Sequence, residues 1–213
     1  MTNDGTDTSN GVHTGGTGGT GGTGGTGGTG GTGWAGWAGF LAAQPELARL
    51  VEARFAAYRH HVLGTLRADG APRLTGIEAD FRFGELWLGM MANSRKALDL
   101  RRDPRFALHA NPGPDTDMAG GDVRVAGRAV EVTDPAVLAR YTGETKPPEP
   151  FHLFRTELTE VVRTYVEDPH IVLETWRPGV PLRTIRRGNG AEPPTVTVAP
   201  TVTVAPAATV APA

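Results

Sequence analysis

The sequence predicts a mainly β protein, an antiparallel β-barrel with peripheral helices, carried between two disordered tails. Three observations lead there. The middle of the chain breaks into short segments of strand-like character separated by Gly, Pro and Asp turns. The helical segments are few and do not alternate with the strands, which argues against a parallel sheet. Both ends change composition abruptly. Half of the 30 glycines fall in residues 1–33, largely as a Gly-Gly-Thr repeat with no large apolar side chain after Val12. Such a segment has nothing to bury against the entropy of ordering. From Gly188 the chain repeats Thr-Val-Thr-Val-Ala-Pro, and its prolines interrupt strand pairing. The expected organisation is a disordered tail over 1–33, one domain over 34–187, and a second disordered tail over 188–213.

Taken in order, the domain opens on the aromatic stretch Trp34 to Leu41. Gln44-Pro45-Glu46 starts a helix, with proline suited to its first turn. Leu47, Leu50, Val51, Phe55 and Tyr58 continue it at helical spacing over 45–59. His61–Arg67 is a strand, and Asp69-Gly70 is a hairpin signal. Residues 72–83 return as a second strand, Gly84-Glu85 turns, and 86–91 forms a third. A short helix covers 94–102 and stops before Pro104. Residues 105–110 form a fourth strand and 111–121 a loop. Residues 122–132 form a fifth strand, whose apolar phase shifts at Gly127 and so implies a bulge. Asp134-Pro135 opens a helix reaching Tyr141. A loop over 143–150 follows. The last strand pair is 157–166 and 171–177. In all, about six or seven strands are expected.

Composition excludes several functions. There is no cysteine, so disulfides, thiolate metal sites and cysteine nucleophiles are ruled out. The net charge is −2, and without Asp4, Asp7 and Glu192 the domain carries about one positive charge, too balanced for a nucleic-acid footprint. No segment has the length of a membrane span, and the leader lacks the pattern of a signal peptide. The expectation is a cytoplasmic protein without nucleic-acid or membrane partners. His60 and His61 are adjacent and face opposite sides of a strand. His109, His152 and His170 show no metal-ligand spacing, so no metal site is expected.

One stretch breaks a local rule. In Met90-Met91-Ala92-Asn93-Ser94-Arg95-Lys96, Asn93 or Ser94 suits an N-cap. Two cations then occupy the first helical turn, where the dipole favours negative charge. A bound anion resolves the conflict, because a helix N-terminus already offers free N–H groups. Two side chains pointing into water would also explain it, at little cost. Arg73 and Thr75 share one face of the second strand and join the cluster if that strand lies beside the helix start.

Together these segments resemble the pyridoxamine 5'-phosphate oxidase-like family of FMN-binding split barrels. The resemblance rests on "LGTLRADGAPRLTGIEADF", "GELWLGMMANSRKALDLRRDPRFALHA" and "DVRVAGRAVEVTD", and it extends more loosely over 150–187. It implies a flavin-dependent oxidoreductase, homodimeric, with FMN or a deazaflavin coenzyme at the subunit interface and a small-molecule substrate. It assigns Arg73 and Thr75, Met90 and Met91, and Ser94, Arg95 and Lys96 to the cofactor. Trp176 and Arg186 fall at its outer cofactor-side positions. Leu182 and Thr184 stand where its substrate arginine and histidine belong, with Arg183 one place off. Pyridoxamine phosphate is therefore not the expected substrate, and no catalytic residue is singled out. A non-catalytic flavin-binding or sensing module fits the same residues.

Overall fold

A computed structural model describes residues 33–114, 118 and 120–200. The expected tail over 1–33 lies almost wholly outside the described residues, as do 201–213 at the other end and part of the 111–121 loop.

Ten strands and four helices are present among the described residues. The helices are α1 (Trp37–Ala43), α2 (Pro45–Ala56), α3 (Arg95–Arg102) and α4 (Pro135–Thr145). The strands are β1 (His61–Leu66), β2 (Pro72–Ile77), β3 (Ala79–Arg82), β4 (Glu85–Met91), β5 (Arg105–His109), β6 (Asp122–Glu131), β7 (Phe151–Glu167), β8 (His170–Arg177), β9 (Val180–Arg187) and β10 (Thr195–Val198). Every pairing is antiparallel. The main path runs β10-β9-β8-β7-β6-β5-β1-β2.

The 17-residue β7 organises the sheet. Its first residues, Phe151–Arg155, pair with β4, and its last, Val161–Glu167, pair with β8. β6 follows it on the other side from Phe154 to Thr164. One strand thus serves two sheet segments, which gives the fold its split-barrel form. The register between β6 and β7 shifts at Ala126/Gly127, where the sequence predicts a bulge. Glycine is required there: a Cβ on Gly127 would stand 2.0 Å from the Glu157 carbonyl oxygen.

The core lies inside the sheet and is closed at one end by the first two helices. Trp37, Phe40, Val51 and Phe55 from α1 and α2 are buried with Leu63, Leu86, Leu88, Leu108, Val125, Phe154, Leu158 and Trp176. Trp37 packs edge-on against Phe40 and Phe81, and Phe40 lies 4.7 Å from Trp176 between ring centroids. Trp37 is also fixed by polar bonds. Its indole N–H donates to Glu52 at 2.8 Å and its backbone N–H to Glu85 at 3.2 Å. The aromatic stretch near 34–41 is therefore a helix-borne plug.

Several expected boundaries move. The single strand over 72–83 is two strands, β2 and β3, broken at Glu78, and only β3 pairs with β4. α4 runs four residues past Tyr141, and β7 starts six residues before Glu157. β9 and β10 were not anticipated. β10 lies inside the segment expected to be an unpaired arm. Its Thr-Val-Thr-Val lies between prolines 194 and 200, leaving all four residues able to pair along β9.

Candidate functional site

α3 and β2 hold the residues that the sequence singles out. Ser94 is the N-cap of α3, in extended conformation, and its side chain makes no capping hydrogen bond. Asn93 precedes it at φ 57°, a left-handed conformation that asparagine tolerates. The Asn93 backbone N–H donates to His152 Nε2 at 3.2 Å, and His152 Nδ1 lies 2.7 Å from Glu131. With Nε2 accepting, Nδ1 carries the proton and donates to Glu131. β6 and β7 thus fix the turn that aims the helix start.

Two further bonds tie α3 to β2. Arg73 Nε donates to Asp99 at 2.6 Å, and the Lys96 ammonium donates to the carbonyl of Gly76. Asp99 is the anchor of this arrangement. It is buried and also accepts from Thr65 at 3.0 Å and from Arg102 at 3.2 Å. Burial pushes its carboxyl pKa up, but the hydrogen bonds from Arg73, Thr65 and Arg102 outweigh that and hold it below the ordinary carboxylate value. Burial lowers the pKa of Lys96, as expected for an ammonium without a carboxylate beside it.

Arg73 and Lys96 therefore both lie at the junction of β2 and the start of α3. Arg73 and Arg102 share the one Asp99 carboxylate inside the protein, and Arg95 and Lys96 are the nearby cations with no acidic partner among the described residues. Arg95 is exposed. Two buried hydroxyl oxygens, Thr75 Oγ1 and Ser94 Oγ, have no hydrogen-bond partner. Thr75 neighbours Gly76, which receives Lys96, and Ser94 begins the helix. Leaving a buried hydroxyl unpaired costs about 1–3 kcal/mol. The first turn of α3 adds its free N–H groups. This donor set suits a phosphate: two cations, two hydroxyls and a helix N-terminus.

The other expected residues lie elsewhere. Met90 is 4% exposed and belongs to the core, whereas Met91 is 76% exposed; alternation along β4 sends the two side chains to opposite faces. Trp176 is 3% exposed, sealed under Phe40. Arg186 lies on β9, ion-paired with Glu167 at 3.4 Å. Trp176 is on β8 and Arg186 on β9, and among the described residues neither has a hydrogen bond or ion pair with the α3 cluster. Leu182 packs against the core. Two cavities, of about 410 Å³ beside Glu149–Phe151 and about 200 Å³ on β6–β9, are lined by other residues.

The family model for pyridoxamine 5'-phosphate oxidase matches residues 47–165, more than half of the chain. The chain belongs to the pyridoxamine 5'-phosphate oxidase family. The match spans the elements from α2 through most of β7, including the whole α3–β2 cluster. No curated protein matches the chain by sequence. Among solved structures, a conserved hypothetical protein from Mycobacterium tuberculosis is 27% identical, with 52% of this chain and 78% of that one covered at a TM-score of 0.41. A putative pyridoxamine 5'-phosphate oxidase from Listeria innocua is 14% identical, covering 55% and 98% at 0.44. A heme binding protein from Mycobacterium smegmatis is 18% identical, covering 60% and 57% at 0.46. Membership in the oxidase family rests on the sequence match.

Asp99 and His152 are the residues that reading the sequence missed. Asp99 had a signal. It is the lone acid in Arg-Lys-Ala-Leu-Asp-Leu-Arg-Arg, flanked by the buried Leu100 and one turn from Arg95 and Lys96. His152 had none, since its partners Asn93 and Glu131 are distant in sequence.

Proposed function

We propose that this member of the pyridoxamine 5'-phosphate oxidase family binds FMN, or a phosphate-bearing deazaflavin, and acts as an oxidoreductase on a small molecule other than pyridoxamine phosphate. The observation that carries the reading is the pair of unpartnered hydroxyls, Thr75 and Ser94, beside Arg95 and Lys96 at the start of α3. A phosphate accepts hydrogen bonds from all four side chains and from the helix N–H groups, and it relieves the cost of leaving the hydroxyls unpaired. The bound ring supplies the hydride chemistry. The protein's part is to bind and orient. Arg73, held by Asp99, braces β2 against α3, and Met91 offers an exposed apolar side chain next to the helix start.

A second copy of the chain completes the site in this reading. The outward face of β1 and β2 carries Leu74, 73% exposed, with Val62 and the glycines 64 and 76. It is smooth and apolar, as an interface core is. Leu182 in the substrate-arginine position argues against vitamin B6 oxidation. The same feature also favours a second reading, a non-catalytic flavin carrier or sensor.

The visible absorbance spectrum of the purified protein, with mass spectrometry of the small molecule it retains, tests the reading. FMN gives two visible bands and a deazaflavin one band between them. A colourless protein that takes up neither on incubation refutes it. Turnover of a reduced nicotinamide by the loaded protein separates enzyme from carrier.

A further inference from the structure

The smaller cavity has its own chemistry, on the sheet formed by β6 to β9. It is a groove of about 200 Å³, open to solvent and lined chiefly by Arg124, Glu160, Val162, Leu173, Arg177 and Arg183. Strand register explains why these residues meet. Arg124 pairs with Val162, Val162 with Thr175, and Thr175 with Arg183, so one row crosses four strands. Trp176 beside Thr175 faces the core, which puts the row on the opposite face of the sheet.

Its polar part is arranged around one carboxylate. Glu160, whose side chain is 18% exposed, accepts from Arg124 at 2.6 Å and from Arg177 at 2.6 and 3.1 Å. This fixes two guanidinium groups at the rim. Arg183, across the cavity on β9, has no acidic partner among the described residues. Three guanidiniums face one carboxylate, leaving two uncompensated positive charges. Each guanidinium carries five N–H donors, most of them still unused. Val162, Leu173, Val180 and Pro181 supply an apolar lining, and Thr175 a hydroxyl.

We infer that this cavity binds a small carboxylate with a compact apolar body, its head between Arg183 and the Arg124–Arg177 pair and its body over Val162 and Leu173. A carboxylate matches the planar fork of an arginine. The short apolar stretch between the arginines suits a compact body such as the ring of benzoate. The floor stands on paired strands, and Glu160 holds Arg124 and Arg177 in place before a ligand arrives. This inference does not depend on the cofactor reading, because it uses no residue of α3 or β2.

Calorimetric titration of the full chain with benzoate tests it, with acetate and inorganic phosphate as comparison probes. The expected result is saturable benzoate binding at one site per chain, tighter than acetate or phosphate. Arg183→Gln weakens it about tenfold or more, the loss of one charged hydrogen bond, while Arg95→Ala leaves it unchanged. A thermal melt confirms that Arg183→Gln is folded, and Val162→Thr, which keeps shape and charge but loses apolar surface, provides a second variant that weakens benzoate but not phosphate. Three outcomes overturn the inference. One is the absence of saturation. Another is equal affinity for phosphate and benzoate, which marks an adventitious ion only. The third is unaltered binding in both variants, including the case where a second copy of the chain covers the cavity.

Discussion

Replacing Asp99 by alanine removes the acceptor that joins β1, β2 and α3. Thr65 is 2% exposed, and its hydroxyl would be left buried without a partner, at about 1–3 kcal/mol. Arg73 is three-quarters buried and loses a charged hydrogen bond of 2.6 Å, about 1.5–3 kcal/mol. Arg102 is 41% exposed on its side chain and adds at most about 1 kcal/mol. These losses share one carboxylate and do not add fully, so the expected destabilisation is about 3–5 kcal/mol. Urea unfolding at fixed protein concentration reads it as a lower midpoint at unchanged slope. Asp99→Asn, which keeps one carbonyl acceptor, falls between wild type and alanine. The pH dependence carries a second signature. The folded pKa of Asp99 is held below its ordinary 3.8, so its contribution is complete above the unfolded value and is lost as pH falls through the folded one. Asp99→Asn should flatten that acid limb. A loss below about 1 kcal/mol in Asp99→Ala, with the acid limb unaltered, would refute the view that this carboxylate holds the helix to the strand.

Other expectations follow from the same geometry. Ser94→Ala removes a hydroxyl that has no partner and makes no cap bond, so the melting temperature of the ligand-free protein stays level or rises, whereas the stabilisation that FMN adds shrinks; a clear drop in the ligand-free melt contradicts this. Gly127→Ala drives a methyl into the Glu157 carbonyl and costs about 2–4 kcal/mol of stability, seen as a lower urea midpoint. Lys96 has a folded pKa below its ordinary 10.5 through burial. Its charged form is disfavoured in the free protein and favoured by a dianion, so phosphate-bearing ligands lose affinity as pH rises through that lowered pKa. Calorimetry across the alkaline range measures the loss, and Lys96→Met abolishes it.

The sequence reveals the sheet segments where local chemistry punctuates them. Asp69-Gly70 sets the β1–β2 hairpin, Pro45 starts α2, and Gly127 marks the bulge, because each effect acts within a few residues. It conceals what depends on partners far along the chain. The break at Glu78 has no proline or turn pair to announce it, and Gly76 lies inside β2. β9 reads as weak because Arg183, Arg186 and Arg187 interrupt its apolar pattern, and β10 because prolines flank it, yet each finds its pairing along the neighbouring strand. At the candidate site, Ser94, Arg95 and Lys96 stand out since they offend the helix dipole locally. The charge state of Arg73 could not be read, because it is set by Asp99, 26 positions away. Trp176 illustrates the same limit: spacing alone cannot tell an aromatic on a ligand from one sealed under Phe40.

Comparing FMN with riboflavin in calorimetric titrations of the full chain tests the phosphate cradle most directly, since the two ligands differ only in the phosphate. FMN should bind about a hundredfold tighter or more, as two or more charged hydrogen bonds supply, and most of that preference should vanish in Arg95→Ala/Lys96→Ala. Equal affinity for both ligands, or a preference that survives the double variant, would contradict the assignment of the α3 start to an anionic group.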